Sequence, residues 1–210
     1  MRALVVANGD PPSAGLARDL ASQAGLVVAA DGGVDKALAL GLVVDAVVGD
    51  LDSASDAARA IVAPDRFHHA GSPDSTDLEK SIDYAIQAGA TVVDVIGAGG
   101  GRADHALANL SVLTLFRGRV ELAIHDDLFE IRLVEDELIV DGPVGTVVSL
   151  VAIGPCAGVT TSGLRWNLDD RDLPFSPLGV HNEVATPPAR VSVKSGDLLL
   201  FRGRWVERHK

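Results

Sequence analysis

The feature that most constrains the fold is the alternation of short apolar runs with helical stretches over residues 1–125. The runs span 3–7, 26–30, 45–49, 92–97 and 120–125, and the helical stretches span 13–23, 33–40, 55–62, 77–88 and 104–116. Each run is rich in β-branched residues and nearly all apolar, as in strands that are buried on both faces. Strands that alternate with helices predict an α/β domain built on a parallel sheet.

The pattern changes after about residue 126. Five strand-like stretches follow, which are FEIRLV, ELIVDG, TVVSLVAI, VSVKS and DLLLFRGRW. Gly, Pro and Asp turns separate them, with no helical period in between, and this arrangement predicts a small all-β sandwich. We therefore expect an α/β domain over 1–130 and a β-sandwich domain over 131–210.

Composition and charge exclude several classes of protein. The chain has 210 residues, is 47% hydrophobic and carries a formal net charge of -11, which argues against binding to nucleic acid or to anionic membranes. The single cysteine, Cys156, cannot form an intramolecular disulfide, as is typical of a reducing cytoplasm. The sequence shows neither a signal peptide nor a membrane-spanning segment, so we expect a cytoplasmic protein.

Carboxylates follow two of the apolar runs. In an open parallel sheet, ligands bind beyond the carboxyl ends of the strands. The second run leads into Asp31 and two glycines, which could also be a plain turn with a helix cap. The third run leads into GDLDS, where Asp50 and Asp52 would point to the same side of an extended chain. Like charges so placed repel each other and need a cation or solvent.

A further carboxylate pair lies in DSTDLEKS, just before or at the start of a helix. Taken alone, DSTD favours a helix N-cap. Taken with the strand ends, it places several carboxylates at one edge of one sheet. Hard oxygen ligands suit Mg²⁺ shared with a polyphosphate.

The glycine run at 97–101 resembles a phosphate loop, but it matches neither common type. Arg102 stands where the dinucleotide fingerprint requires its last glycine, and the Gly-Lys-Ser/Thr of a Walker loop is absent. Backbone N–H groups at a helix start and the Arg102 guanidinium could hold phosphate oxygens. The alternative is a packing loop beside a surface arginine.

The motifs together resemble the thiamine pyrophosphokinase family. In chain order they are ADGG, VVGDLDS, DSTDLEKS, GGGRADHALANL, SLVAIG, GVTTSGLRWNL and HNE. The resemblance implies an α/β nucleotide domain, a β-sandwich domain, and a homodimer with active sites at the subunit interface. It also implies transfer of the diphosphoryl unit of ATP, the co-substrate, to the hydroxyl of thiamine, which gives thiamine diphosphate and AMP.

The resemblance also implies a set of site residues. Those that would hold Mg²⁺ are Asp50, Asp52 and Asp77. Those with a catalytic role are Asp52, Asp77, Arg102 and Asp104. Those that bind ATP are Asp31, Gly32, Gly33, Asp50, Ser53, Asp74, Thr76, Gly100, Gly101, Arg102 and His105. Those that bind thiamine are Trp166, His181 and Asn182. The chain departs from the family pattern at Ser75, where a Lys or another polar residue is frequent, and at His181, where a Ser is usual.

Two other functions remain open at this point. The same loops and carboxylates would serve a pyrophosphokinase that acts on another alcohol, such as a hydroxymethylpterin. A non-catalytic nucleotide- or thiamine-binding protein is the second alternative. By its position alone, Trp166 would be a core aromatic of the β-domain, whereas its motif favours stacking on thiamine.

Overall fold

The computed structural model describes residues 1–207. The chain divides into two compact units, Met1–Asp127 and Leu128–Lys210, whereas the expected boundary lies a few residues later, between 130 and 131. In the described part, no helix has the length and apolar character that crossing a membrane requires.

The first unit alternates strands and helices. Its strands are β1 (Arg2–Val6), β2 (Leu26–Ala30), β3 (Ala46–Gly49), β4 (Phe67–His69), β5 (Val92–Ile96) and β6 (Glu121–His125). Its helices are α1 (Ala14–Gln23), α2 (Gly33–Ala39), α3 (Asp56–Ile61), α4 (Asp77–Gln87), α5 (Ala103–Leu110) and α6 (Val112–Leu115). The six strands pair in parallel in the order β6-β5-β1-β2-β3-β4.

The strand order places a topological switch point at β1. From β1 the chain adds β2, β3 and β4 on one side, then crosses back and adds β5 and β6 on the other. The loops after β1 and β5 therefore leave the sheet side by side. Ligands of open α/β sheets bind in the crevice that such a reversal creates. One face of the sheet is filled by apolar side chains of β1 to β3 and α1 to α3, which fixes the strand ends in place.

Two details of this unit differ from expectation. β4 was not predicted, because its three residues, Phe67–His69, are too few and too polar to show an apolar run. The single helix expected over 104–116 is two, α5 and α6, with Ser111 between them. The Ser111 hydroxyl donates to the Ala108 carbonyl at 2.6 Å, a local bond that competes with helix continuation.

The second unit is all-β. Its strands are β7 (Phe129–Val134), β8 (Glu137–Val140), β9 (Thr146–Ala152), β10 (Cys156–Ser162), β11 (Arg171–Leu173), β12 (Asn182–Glu183), β13 (Ala189–Ser192) and β14 (Leu198–Val206). They form two antiparallel sheets, β12-β9-β14-β7 and β11-β10-β13-β8. Buried residues of both sheets share one core, in which the side chain of Cys156 is packed. The predicted fold class, a parallel α/β unit followed by a β-sandwich, is confirmed.

Candidate functional site

The loops that leave β1, β2, β3 and β5 surround a cavity of about 470 Å³ in the first unit, together with the starts of α4 and α5. Nine of the predicted site residues line it: Asp31, Gly32, Ser53, Thr76, Asp77, Gly100, Gly101, Arg102 and His105. Five others are not among the lining residues: Gly33, Asp50, Asp52, Asp74 and Asp104. The fold thus brings together most of the predicted nucleotide site.

Three carboxylates meet at the edge of this cavity. Asp31, Asp50 and Asp77 each offer one oxygen, and these oxygens lie within 4.8 Å of one another. We call them the carboxylate trio. Gly49 makes the approach possible, because a Cβ there would lie 2.8 Å from Asp31 Cβ and 3.0 Å from Asp77 Cγ. A glycine at the end of β3 is therefore a steric requirement of the trio.

Asp31 is the buried member of the trio, only 3% exposed. Its Oδ2 accepts a hydrogen bond from the Ser53 amide at 3.0 Å, while its Oδ1 is buried with no hydrogen-bond partner in the described residues. Burial raises the pKa of Asp31 above its ordinary value, and the charges of Asp77 and Asp50 act in the same direction. An unsatisfied, buried carboxylate oxygen facing two other carboxylates is costly unless a cation neutralises it. The donor set fits Mg²⁺, a hard cation that prefers oxygen ligands.

Asp52, expected in the metal set, lies outside the trio. The assumption of an extended chain at 50–52 is wrong, because Leu51 adopts a left-handed conformation with φ 65°. The chain bends there, so that the Asp52 amide donates to Asp50 Oδ1 at 3.3 Å and the Ser53 hydroxyl donates to Asp52 Oδ1 at 2.8 Å. Asp31, and not Asp52, is the third member of the carboxylate trio.

The start of α4 is a capping box, which confirms the N-cap interpretation of DSTD. The Thr76 side chain accepts from the Glu79 amide at 3.3 Å, and Glu79 accepts from the Thr76 amide at 3.4 Å. This cap fixes Asp77, the first residue of α4. Asp74 lies before it in an exposed turn, where its amide meets the Ser72 hydroxyl at 3.4 Å. One turn into the helix, Lys80 Nζ pairs with Asp77 Oδ1 at 2.9 Å.

The glycine loop after β5 is bonded to the loop after β1. The amides of Gly9 and Asp10 donate to the carbonyls of Gly97 and Gly99, both at 2.8 Å. The two backbones touch so closely that a Cβ on Gly9 would lie 2.3 Å from the Gly99 oxygen. Gly100 has φ 80°, a left-handed conformation that favours glycine. The loop is thus held in one shape by its neighbour.

Arg102 and Asp104 form an exposed ion pair at the start of α5. The Arg102 Nε and Nη2 atoms meet the two carboxylate oxygens of Asp104 at 3.1 and 2.6 Å. This pairing raises the pKa of Arg102 and lowers the pKa of Asp104. His105 lines the cavity beside them. Further along α5, Asn109 Nδ2 donates to the Ala98 carbonyl at 2.7 Å and so anchors the beginning of the glycine loop.

Three polar side chains at the cavity or the trio were missed from the sequence, those of Asn8, Lys80 and Asn109. Asn8 lines the cavity after β1 and packs against Gly32, where a Cβ would lie 2.5 Å from its Nδ2. The Asn-Gly pair that follows the first apolar run is a turn signal at a strand end and could have pointed to it. Gly33, expected to bind ATP, packs against β1, since a Cβ there would lie 2.1 Å from the Val6 oxygen.

In the second unit, the residues expected to bind thiamine form one surface group. Asn182 Oδ1 accepts from the Trp166 amide at 3.2 Å, and Asn182 Nδ2 donates to the Trp166 carbonyl at 2.7 Å. Trp166 is 55% exposed, so the alternative of a core aromatic is wrong. The Arg165 guanidinium lies 5.0 Å from the centroid of the Trp166 ring. His181 has φ 67° and donates its amide proton to Ser149 Oγ at 3.0 Å.

Comparison with known proteins agrees with this geometry. Residues 17–124 match the model of the thiamin pyrophosphokinase catalytic domain, and residues 131–198 match the thiamin pyrophosphokinase vitamin B1 binding domain. Thiamine pyrophosphokinase 3 of rice (Oryza sativa subsp. japonica) is 31% identical over 180 residues, which are 75% of this chain and 64% of that protein. Thiamine pyrophosphokinase of Bacillus subtilis is 33% identical over 88 residues, 39% of this chain and 41% of that protein. The chain thus spans less than two thirds of these relatives.

Solved structures have the same fold. The thiamine pyrophosphokinase of Bacillus subtilis superposes with a TM-score of 0.82 at 22% identity, covering 97% of this chain and 99% of that one. The thiamin pyrophosphokinase of Candida albicans superposes with a TM-score of 0.79 at 16% identity, covering 98% of this chain and 89% of that one. With two family models matched in order along one chain, this protein belongs to the thiamin pyrophosphokinase family.

Proposed function

We propose that this chain is a thiamine diphosphokinase, which transfers the diphosphoryl group of ATP to the hydroxyl of thiamine and releases AMP. The observation that carries the proposal is the carboxylate trio, with its unpartnered Asp31 oxygen, at the edge of the cavity that the glycine loop lines. Membership of the family supports thiamine as the acceptor. The chemistry requires positioning and charge neutralisation more than covalent catalysis.

We assign Mg²⁺ as the cofactor, with Asp31, Asp50 and Asp77 as the residues that would hold it. When bound, the ion would neutralise charge on the phosphate oxygens. Asp52, the ligand inferred from the resemblance, contacts the trio through the hydrogen bond that its amide donates to Asp50 Oδ1. The two possible ligand sets differ only in that one contains Asp31 and the other Asp52. Variants of these two residues therefore distinguish between the sets.

The residues of the chain contribute by binding the phosphates and holding them in place for the reaction. Backbone N–H groups of the glycine loop and the Arg102 guanidinium bind phosphate oxygens, and Asp104 orients Arg102. The thiamine oxygen attacks the β-phosphorus, and the bond from that phosphorus to the oxygen bridging to the α-phosphorus breaks. AMP leaves with the bridging oxygen. The hydroxyl proton passes to Asp52 or Asp77, the two carboxylates proposed as base.

Trp166 and Asn182 hold the cationic, flat rings of thiamine. The indole ring is exposed and its backbone is fixed by the two hydrogen bonds to Asn182. Stacking of a cation on an indole is worth about 0.5 to 2 kcal/mol. His181, the residue before Asn182, is assigned a contact with thiamine through the resemblance.

We further propose that the protein works in the cytoplasm as a homodimer with its sites at the subunit interface. The resemblance to the family supports the dimer. Three large apolar side chains in the segment between β11 and β12 are exposed and available for such an interface: Phe175 (67%), Leu178 (55%) and Val180 (52%). The single cysteine, Cys156, cannot form an intramolecular disulfide, which is consistent with a reducing compartment.

The test is to incubate the protein with ATP, Mg²⁺ and thiamine and to separate the products by chromatography. Equal amounts of thiamine diphosphate and AMP are expected, and formation of ADP or the absence of thiamine diphosphate would contradict the proposal. A panel of other alcohols, including a hydroxymethylpterin, tests the acceptor. Binding of ATP or thiamine without AMP formation would instead indicate a non-catalytic binding protein.

Two Asp→Asn variants and one control locate the reaction. Asp50→Asn and Asp52→Asn are expected to abolish AMP formation while the circular dichroism spectrum stays that of the wild type. Asp56→Asn is the matched control, because Asp56 is an exposed carboxylate in the first turn of α3, outside the trio. Near-normal turnover of Asp52→Asn would remove Asp52 from the catalytic set.

A further inference from the structure

Lys80 is a cation beside the carboxylate trio, and no role in the proposed reaction has been given to it. It lies on α4, one turn after Asp77, and its Nζ is 2.9 Å from Asp77 Oδ1. Its side chain is only 9% exposed. Within residues 1–207 it is the one cation that forms an ion pair with a member of the trio.

The charge of Lys80 has opposite effects on the binding of a divalent cation and on the binding of a polyphosphate. The trio alone carries three negative charges when ionised, and a protonated Lys80 offsets one of them. A positive charge at this place repels a divalent cation and attracts a polyphosphate. Because Lys80 is largely buried, solvent screens this effect less than it would screen an exposed charge.

We propose that Lys80 is a positioning and charge-balancing residue of the site, which weakens binding of a divalent cation alone and favours binding of the polyphosphate. It does so by holding the Asp77 carboxylate and offsetting its charge. The consequence is that the metal ion binds mainly in company with the nucleotide. The proposal rests on the proposed function for the identity of the polyphosphate, which is ATP. The expectation for the metal ion alone does not depend on the proposed function.

Two titrations of the full chain test the proposal without turnover and without thiamine. Mn²⁺ alone, with no nucleotide, is titrated calorimetrically, and ATP is titrated in EDTA. Lys80→Met is expected to bind Mn²⁺ about 3- to 30-fold more tightly than the wild type and to bind ATP about 3- to 30-fold more weakly. Lys80→Arg, which keeps the charge, should restore both affinities to within about twofold of the wild type.

The matched control is Arg119→Met. Arg119 Nη2 pairs with Asp83 at 2.5 Å, and Asp83 is on the same helix as Lys80, but Arg119 has no ion pair with the trio. This variant removes one positive charge at the surface and should leave both affinities unchanged. If it tightens Mn²⁺ binding as much as Lys80→Met does, the effect belongs to net charge and the proposal fails.

A structural role of Lys80 would weaken both affinities together or change neither. Mn²⁺ binding by Lys80→Met that is equal to or weaker than that of the wild type therefore overturns the proposal, and so does tighter binding of ATP. Should Lys80→Met lose its folded circular dichroism spectrum, Lys80→Gln is measured in its place under the same criteria. Because the Mn²⁺ titration uses no ATP or thiamine, it stands even if the chain transfers nothing to thiamine.

Discussion

The most informative single change is Asp31→Asn, which keeps the size of the side chain and removes its charge. The structure predicts that this variant is more stable than the wild type without metal and fails as an enzyme. Asp31 is buried, its Oδ1 has no partner in the described residues, and two other carboxylates lie nearby. An amide at this place avoids the repulsion but cannot replace the charge that a divalent cation needs.

The size of the stability gain follows from the distances. Two unit charges 4.8 Å apart, the upper limit within the trio, repel by about 0.9 kcal/mol in a water-like dielectric. The two pairs that involve Asp31 therefore contribute about 1.7 kcal/mol, and burial of the charge adds to it. The amide also weakens the bond from the Ser53 amide, at a cost of about 0.5 to 1 kcal/mol. The net expectation is a gain of about 1 to 2 kcal/mol in the free energy of unfolding.

The sign of the pH dependence follows from the raised pKa of Asp31. The folded chain holds this proton more tightly than the unfolded chain does. The destabilisation is therefore absent at pH values below the ordinary pKa of an aspartate and develops as the pH rises through the raised pKa. The advantage of Asp31→Asn should be full at pH 8 and should shrink as the pH is lowered.

The assay is urea unfolding followed by circular dichroism, in EDTA and again in Mg²⁺, with turnover measured in parallel. The variant should unfold at higher urea concentration in EDTA, with a melting temperature about 2 to 8 °C higher than that of the wild type. It should also lose the stabilisation that Mg²⁺ gives to the wild type. A variant less stable than the wild type in EDTA, or one that keeps the full Mg²⁺ effect, would refute the reasoning. Asp56→Asn serves as the control and should change neither quantity.

Three further predictions concern other parts of the chain. Gly49→Ala should lower the free energy of unfolding by about 1 to 3 kcal/mol and weaken Mg²⁺-dependent stabilisation, measured by urea unfolding, because the added methyl would meet two members of the trio within 3.0 Å. Trp166→Ala should raise the thiamine KM about 2- to 30-fold in steady-state assays and leave the ATP KM unchanged, whereas Trp166→Phe should recover part of the loss. Burial raises the pKa of Glu130, but Arg202 and Arg132 outweigh this effect and lower it to about 2. Glu130 therefore contributes stability that is present above pH 4.5 and lost as the pH falls towards 2. Glu130→Gln should therefore lower the free energy of unfolding by about 1 to 3 kcal/mol at pH 7 and remove that part of the acid sensitivity in a pH series of urea unfolding curves.

Much of the fold could be predicted because its strands are nearly pure apolar runs. β2 begins and ends where its sequence run does, since flanking Gly25 and Asp31 mark both limits. β10 was missed because its residues, CAGVTTS, mix small and hydroxyl side chains and show no apolar run. Its place in the sandwich is determined by pairing with β11 and β13, which follow later in the chain.

The sequence identified which segments form the candidate site more reliably than it identified the individual side chains that meet there. The rule that ligands bind beyond parallel strands identified the segments around Asp31 and Asp50. The carboxylates at a helix start in DSTDLEKS added Asp77, and the structure brings the three together. The choice between Asp31 and Asp52 as the third member depended on one backbone angle, that of Leu51. A leucine in a left-handed conformation has no sequence signal, because it is imposed by the surrounding contacts.

The bonding between the loops after β1 and β5 has a consequence for folding. The glycine loop owes its shape to carbonyl contacts with Gly9 and Asp10, residues that come from the other end of the unit's sequence. Such contacts join segments that are far apart in the sequence, and parallel pairing of distant segments is intrinsically slow. The glycine loop should therefore be among the last parts of the unit to mature. A chain released before β5 is docked beside β1 would contain native helices but no place for a nucleotide.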